Sequence, residues 1–144
     1  MIRLGILSAM AFVLSFGANA SDDEIPISEK AQERLAGFKE TGDTETCLNI
    51  RRIREINALD AQNFLVRVGV NKYYLNQVSK GCNGAQRGFN RLQYTISSGQ
   101  LCRHEIIKVV DNNNGFIVGS CGLGDFKKLE RIDPEEEQVE SSGS

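Results

Sequence analysis

Four cysteines, Cys47, Cys82, Cys102 and Cys121, constrain this chain more than any other feature. Their number is even, no two form a C-x-x-C pair, and all lie downstream of a stretch that reads as an export signal. An even set in an oxidising compartment implies two disulfides, and zinc-knuckle or thioredoxin-type sites want a close spacing that is missing here. Of the three pairings that four cysteines allow, we expect Cys82–Cys102 and Cys47–Cys121, the second tying the domain's first strand to its last. The alternative is the sequential pairing, Cys47–Cys82 with Cys102–Cys121. Each bridge is worth roughly 2–4 kcal/mol, a large contribution for one small core.

The export reading rests on the order of the first twenty residues. Met1-Ile2-Arg3 carries the basic charge, Leu4 to Phe16 is an apolar run, and Ala18-Asn19-Ala20 puts small residues at the cut. The run falls short of the roughly 20 apolar residues of a spanning helix, so cleavage after Ala20 is expected rather than membrane anchoring. No Cys follows the cut to carry a lipid. The expected product starts at Ser21, has no transmembrane segment and resides in the periplasm.

Charge divides the remainder of the 144 residues into three parts. Between Ser21 and Glu45, eight acidic side chains face Lys30, Arg34 and Lys39. Between Thr46 and Leu129, twelve basic residues outnumber Glu55, Asp60, Glu105, Asp111 and Asp125. From Glu130 onward, six acids stand against Arg131. The near-neutral total of −2 therefore hides a basic core between acidic arms. The expected organisation is a signal (1–20), an acidic arm with one short helix (21–45), a disulfide-tied domain (46–129) and an acidic, disordered tail (130–144). Ser28 caps the predicted helix, and Ile27, Ala31, Leu35 and Phe38 form its apolar stripe. Lys39 to Thr44 reads as a linker.

Within the core the periodicity is that of strands. Phe64, Val66 and Val68 alternate with Leu65 and Arg67, Tyr73 to Val78 is aromatic and β-branched, and Leu92 to Ile96 alternates again. Ser97-Ser98-Gly99-Gln100 reads as a hairpin connection, and Asn113-Asn114-Gly115 as a turn between strands at Glu105–Val110 and Phe116–Val118. In Cys47 to Ile56, Leu48, Ile50, Ile53 and Ile56 fit a bulged strand or one side of a helix, and we favour the strand because its neighbours are strands. Ser79 to Asn90, with Gly81, Gly84 and Gly88, is the one long connection. The expected fold is mainly β, a small antiparallel barrel or curled sheet of about six strands with one short N-terminal helix.

The cysteines and their neighbours also carry a resemblance. Cys47-x2-Ile50-x2-Ile53, Tyr74-x-Asn76-x5-Cys82, Leu101-Cys102, Ile107-x-Val109 and Cys121-x-Leu123-Gly124-x-Phe126 resemble the short exported proteobacterial proteins that share domain of unknown function 6491. The resemblance covers the core and implies export and the four-cysteine framework, without an activity. Arg103-His104-Glu105 stands where that family tends to have a Gly-Asp pair, so no role of that acidic site carries over.

Catalytic patterns are sparse. A cysteine nucleophile needs a free thiolate, and these cysteines are expected in disulfides. His104 is the only imidazole, so enzyme chemistry would have to pass through it, and a strand would turn it away from Glu105. No second His completes a metal set with Cys102, and the glycines form neither a P-loop nor a dinucleotide fingerprint, so no cofactor is expected. A non-catalytic binding module is the expected class. Arg51, Arg52 and Arg54 cluster in sequence, while Arg87, Arg91 and Arg103 form a second basic group and Lys127-Lys128 a third. Tyr73, Tyr74, Phe89 and Tyr94 interleave with them as a stacking platform would. Arg51, Arg52, Arg54, Tyr73, Tyr74 and Arg91 are accordingly the candidate ligand-binding residues. The fitting partners are anionic envelope ligands: lipopolysaccharide phosphates, anionic lipid heads or extracellular nucleic acid. An ordinary solvated basic face has the same composition. The alternative is a periplasmic accessory or inhibitor that binds protein through the Ser79–Asn90 loop.

Overall fold

The computed structural model describes residues 25–96 and 98–133. The expected signal and its cut after Ala20, Ser97 and the tail from Pro134 lie outside the described residues. Ser28 caps helix α1 (Glu29–Leu35), its side chain accepting from the Ala31 N–H. The predicted stripe is divided: Ala31 is buried within α1, whereas Phe38 opens a strand.

Among the described residues ten strands follow: β1 (Phe38–Glu45), β2 (Cys47–Asn49), β3 (Ile53–Ala58), β4 (Asn63–Val68), β5 (Lys72–Gln77), β6 (Asn90–Tyr94), β7 (Gln100–Cys102), β8 (Ile106–Asp111), β9 (Ile117–Gly122) and β10 (Phe126–Arg131). They form a five-stranded sheet of order β1-β10-β5-β4-β3, a pair β2-β7, and a three-stranded sheet β6-β8-β9. Every pairing is antiparallel. The fold is mainly β, as expected, and takes the form of open curled sheets.

Alternation along the strands sets the layers. Phe64, Val66 and Val68 of β4 face the main core, as their spacing predicts, and meet Leu48 and Leu101 of the small pair and Ile107 and Val109 of β8. β5 is buried on both faces. Its Tyr74 enters the main core, whereas Tyr73 and Leu75 enter a second cluster with Leu129, Leu35, Phe38 and Leu65. β10 makes the same division: Phe126 and Leu129, three positions apart, lie on opposite faces.

Several expectations change. Lys39 to Thr44 is no linker but most of β1, which pairs with β10, so the folded unit extends beyond the expected 46–129 at both ends. Ser98-Gly99-Gln100 belongs to no hairpin, because β6 pairs with β8 and β7 with β2. Cys47 to Ile56 divides where Asn49 accepts from the Arg51 N–H and starts a 3-10 turn, Ile50–Arg52, between β2 and β3. The Asn113–Gly115 turn stands, with Gly115 at φ 75° and its N–H donating to the Asp111 carbonyl.

The expected disulfides are corrected too: the bridges are Cys47–Cys102 and Cys82–Cys121. Pairing β2 with β7 sets Cys47 directly opposite Cys102, which leaves Cys82, just beyond β5, to reach β9. Proteolysis without reductant should release peptides joining Cys47 to Cys102 and Cys82 to Cys121; recovery of a Cys47–Cys121 peptide would contradict this topology. Replacing Cys82 and Cys121 together by Ser should cost about 2–4 kcal/mol of unfolding free energy.

The β3–β4 connection anchors α1. The Asp60 carboxylate accepts from the Ser28 hydroxyl at 2.7 Å, the Gln62 N–H at 2.8 Å and the Asn63 side-chain amide at 2.9 Å. Burial acts to raise its pKa, but these bonds outweigh it and hold the carboxyl below its ordinary value. A depressed folded pKa gives stability that is complete above the ordinary carboxylate range and lost as pH falls through the folded value. Asp60→Ala should therefore lower stability by about 1.5–3 kcal/mol at neutral pH, with the deficit shrinking in acid, as followed by urea unfolding.

Candidate functional site

Three elements enclose the candidate site. β3 is one edge of the five-stranded sheet and β6 one edge of the three-stranded sheet. Between them lies a groove of about 470 Å³, closed at one side by Ala85–Gly88 of the long connection. Ile53, Ile56, Leu92 and Tyr94 line it and also pack against the main core, so its floor is apolar and half-buried. Arg54, Asn57, Gln86 and Arg87 supply polar groups.

The long connection is held in place. Cys82 is bonded to Cys121, and Gly84 O accepts from the Asn90 side-chain amide at 2.9 Å. Gly119 of β9 lies against the Asn83 carbonyl so closely that a Cβ would collide with it. Ser79–Asn90 is thus a fixed wall around Cys82–Ala85, with Gln86–Phe89 exposed.

The groove has a net positive lining. Glu55 is balanced by Arg67 of β4, with Oε2 and Nε 3.7 Å apart. Arg54 and Arg87 have no acidic partner among the described residues. Arg87, expected to gather with Arg91 and Arg103 near Cys82 and Cys102, lines the groove with Arg54 instead. Arg91 donates to Asn112 Oδ1 at 2.9 Å, and Arg103 pairs with Asp125 at 3.4 Å. Arg51 and Arg52 are exposed on the 3-10 turn ahead of β3 and do not line the groove. Lys127 donates to Gln77 Oε1, and Lys128 pairs with Asp43 of β1.

Tyr73 and Tyr74 do not form a stacking platform, because β5 is covered on both faces. Tyr73 packs against Phe38 with ring centroids 4.9 Å apart, and its hydroxyl accepts from Arg131 at 3.1 Å. Tyr74 is 2% exposed, and its hydroxyl donates to Glu45 Oε1 at 2.7 Å. Of the interleaved aromatics, Tyr94 reaches the groove, and Phe89 is exposed on the long connection. Sequence reading missed that Arg54 and Arg87 line one groove. The usable signal was the polar run Gln86-Arg87-Gly88 just before a strand that alternates.

His104 sits in a turn rather than a strand, at φ 69°, where its N–H donates to the Leu123 carbonyl. Glu105 Oε2 accepts from the Cys102 N–H at 2.7 Å, so the neighbouring carboxylate serves the turn. Among the described residues no helix is long and apolar enough to cross a membrane.

Burial, then the hydrogen bond to Glu45 and its charge, push the Tyr74 phenol up to about 12. A raised folded pKa gives stability that is complete below the ordinary phenol value of 10.0 and lost as pH rises through the folded one. Ultraviolet titration should show a tyrosine ionising step well above the ordinary phenol value, and Tyr74→Phe should remove it. No family model, curated protein or solved structure matches this chain.

Proposed function

We propose that this chain is an exported, periplasmic, non-catalytic binding module whose ligand seat is the groove between β3 and β6. The observation that carries the reading is that Arg54 and Arg87, without acidic partners among the described residues, both line a groove with a half-buried apolar floor. Two cations beside a partly desolvated surface favour an anionic ligand with some apolar character, since charge contacts strengthen where water is excluded. Export rests on Met1 to Ala20 and agrees with the two disulfides. Membership of the domain of unknown function 6491 family is proposed on the four-cysteine motif alone. The protein-binding alternative shares the same seat, because Gln86–Gly88 of the Ser79–Asn90 loop form part of its wall.

Retention on immobilised heparin across a salt gradient tests the charge component. The chain from Ser21 onward, which contains every described residue, should bind at low salt and elute as salt rises. The double variant Arg54→Glu/Arg87→Glu should bind at least tenfold more weakly, about 1.4 kcal/mol, whereas Arg51→Glu/Arg52→Glu should retain most of the affinity. Passage of the unaltered chain through the matrix at low salt, or equal losses in both variants, would contradict the proposed seat.

A further inference from the structure

We infer that the groove receives an extended acidic peptide that adds to the free edge of β3 as a further strand. This deepens the proposed function and rests on the groove being the binding seat.

The lining pattern separates an edge from a face. Side chains alternate across a strand, so a groove lying over a face meets every second residue, whereas one running along an edge meets consecutive residues. β3 contributes every residue from Ile53 to Ala58, and β6 contributes Asn90, Leu92 and Tyr94. The groove therefore follows the edge of β3 and is floored by one face of β6. β3 pairs with β4 alone; the Ile53 N–H donates to the Ile50 carbonyl of the 3-10 turn, and among the described residues no other strand bonds to the outer edge beyond it. An added strand would pair its main chain with that edge and direct alternate side chains onto Leu92 and Tyr94.

Charge and hydrogen-bonding capacity narrow the occupant further. Arg54 stands on β3 and Arg87 on the connecting wall, both without acidic partners, so the added strand should carry Glu or Asp among its side chains. A peptide can donate N–H groups to the free carbonyls of β3. A polyphosphate or sulfated sugar would use the two arginines and leave the strand edge and apolar floor without matching contacts. The six residues of β3 match an added strand of about six, roughly 20 Å long.

The test titrates the chain from Ser21 onward, labelled with nitrogen-15, with three octapeptides. One alternates Glu with Val, one alternates Lys with Val, and the third is the Glu–Val peptide N-methylated at alternate residues; heparin is titrated in parallel. Strand addition predicts that the Glu–Val peptide binds at least tenfold more tightly than the other two, shifts β3 amides and weakens when Arg54 and Arg87 become Glu. Equal binding of the N-methylated peptide would overturn strand addition while leaving anion binding in place. The same holds if heparin binds in an Arg54- and Arg87-dependent manner and the Glu–Val peptide does not. Failure of both heparin and the Glu–Val peptide would overturn this inference together with the proposed seat.

Discussion

Burial of β5 on both faces is the constraint on which the other layers depend. Tyr74 enters the main core while Tyr73 and Leu75 enter the second cluster, so each face of the strand needs its own cover. Helix α1 and Phe38 cover one face, and the two smaller sheets cover the other. Fully buried Asn76 fits the main-core side because its amide donates to the Gly124 carbonyl and its oxygen accepts from the Gly124 N–H. That exchange pins the link between β9 and β10 against β5, where Gly124 lies so close to the Gln77 carbonyl that a side chain has no room. With β4 and β10 flanking β5, the sheet has β1 and β3 as its two edges.

The two-stranded sheet could not hold itself. An isolated pair of strands is marginal in water, and β2-β7 has three residue pairs. Cys47–Cys102 clamps that pair, while Cys82–Cys121 holds the long connection to β9. The second bridge has a functional consequence: a connection fixed at Cys82 presents Gln86–Gly88 as a wall opposite β3. Without it, Arg87 would be one more exposed cation on a loop. Fold stability and site geometry thus share one covalent bond.

Elements governed by local alternation were legible in the sequence. Phe64-x-Val66-x-Val68 identified β4 and its core face, and Asn113-Asn114-Gly115 identified a turn. Elements governed by what lies beside them were not. β1 is almost entirely polar and exposed, and its strand form comes from pairing with β10. β10 carries its apolar residues three apart because it serves two cores, which defeats a search for one buried face. The same two-sidedness misled the reading of Tyr73 and Tyr74, whose aromatic character reflected burial rather than stacking. The basic cluster was legible as composition but not as a site. The 3-10 turn at Ile50–Arg52 separates Arg51 and Arg52 from Arg54, and Arg87 arrives from a distant loop whose place depends on a disulfide that sequence could not assign.

A free edge on β3, separated by β4 from a well-covered β5, is the central claim, and native-state amide hydrogen exchange tests it most directly. On the unliganded chain, the amides of β4 and β5 should exchange slowest, and alternate amides along β3, those directed away from β4, should exchange much faster than their neighbours. Uniform protection along β3 would show that its outer edge is already covered and would contradict the account.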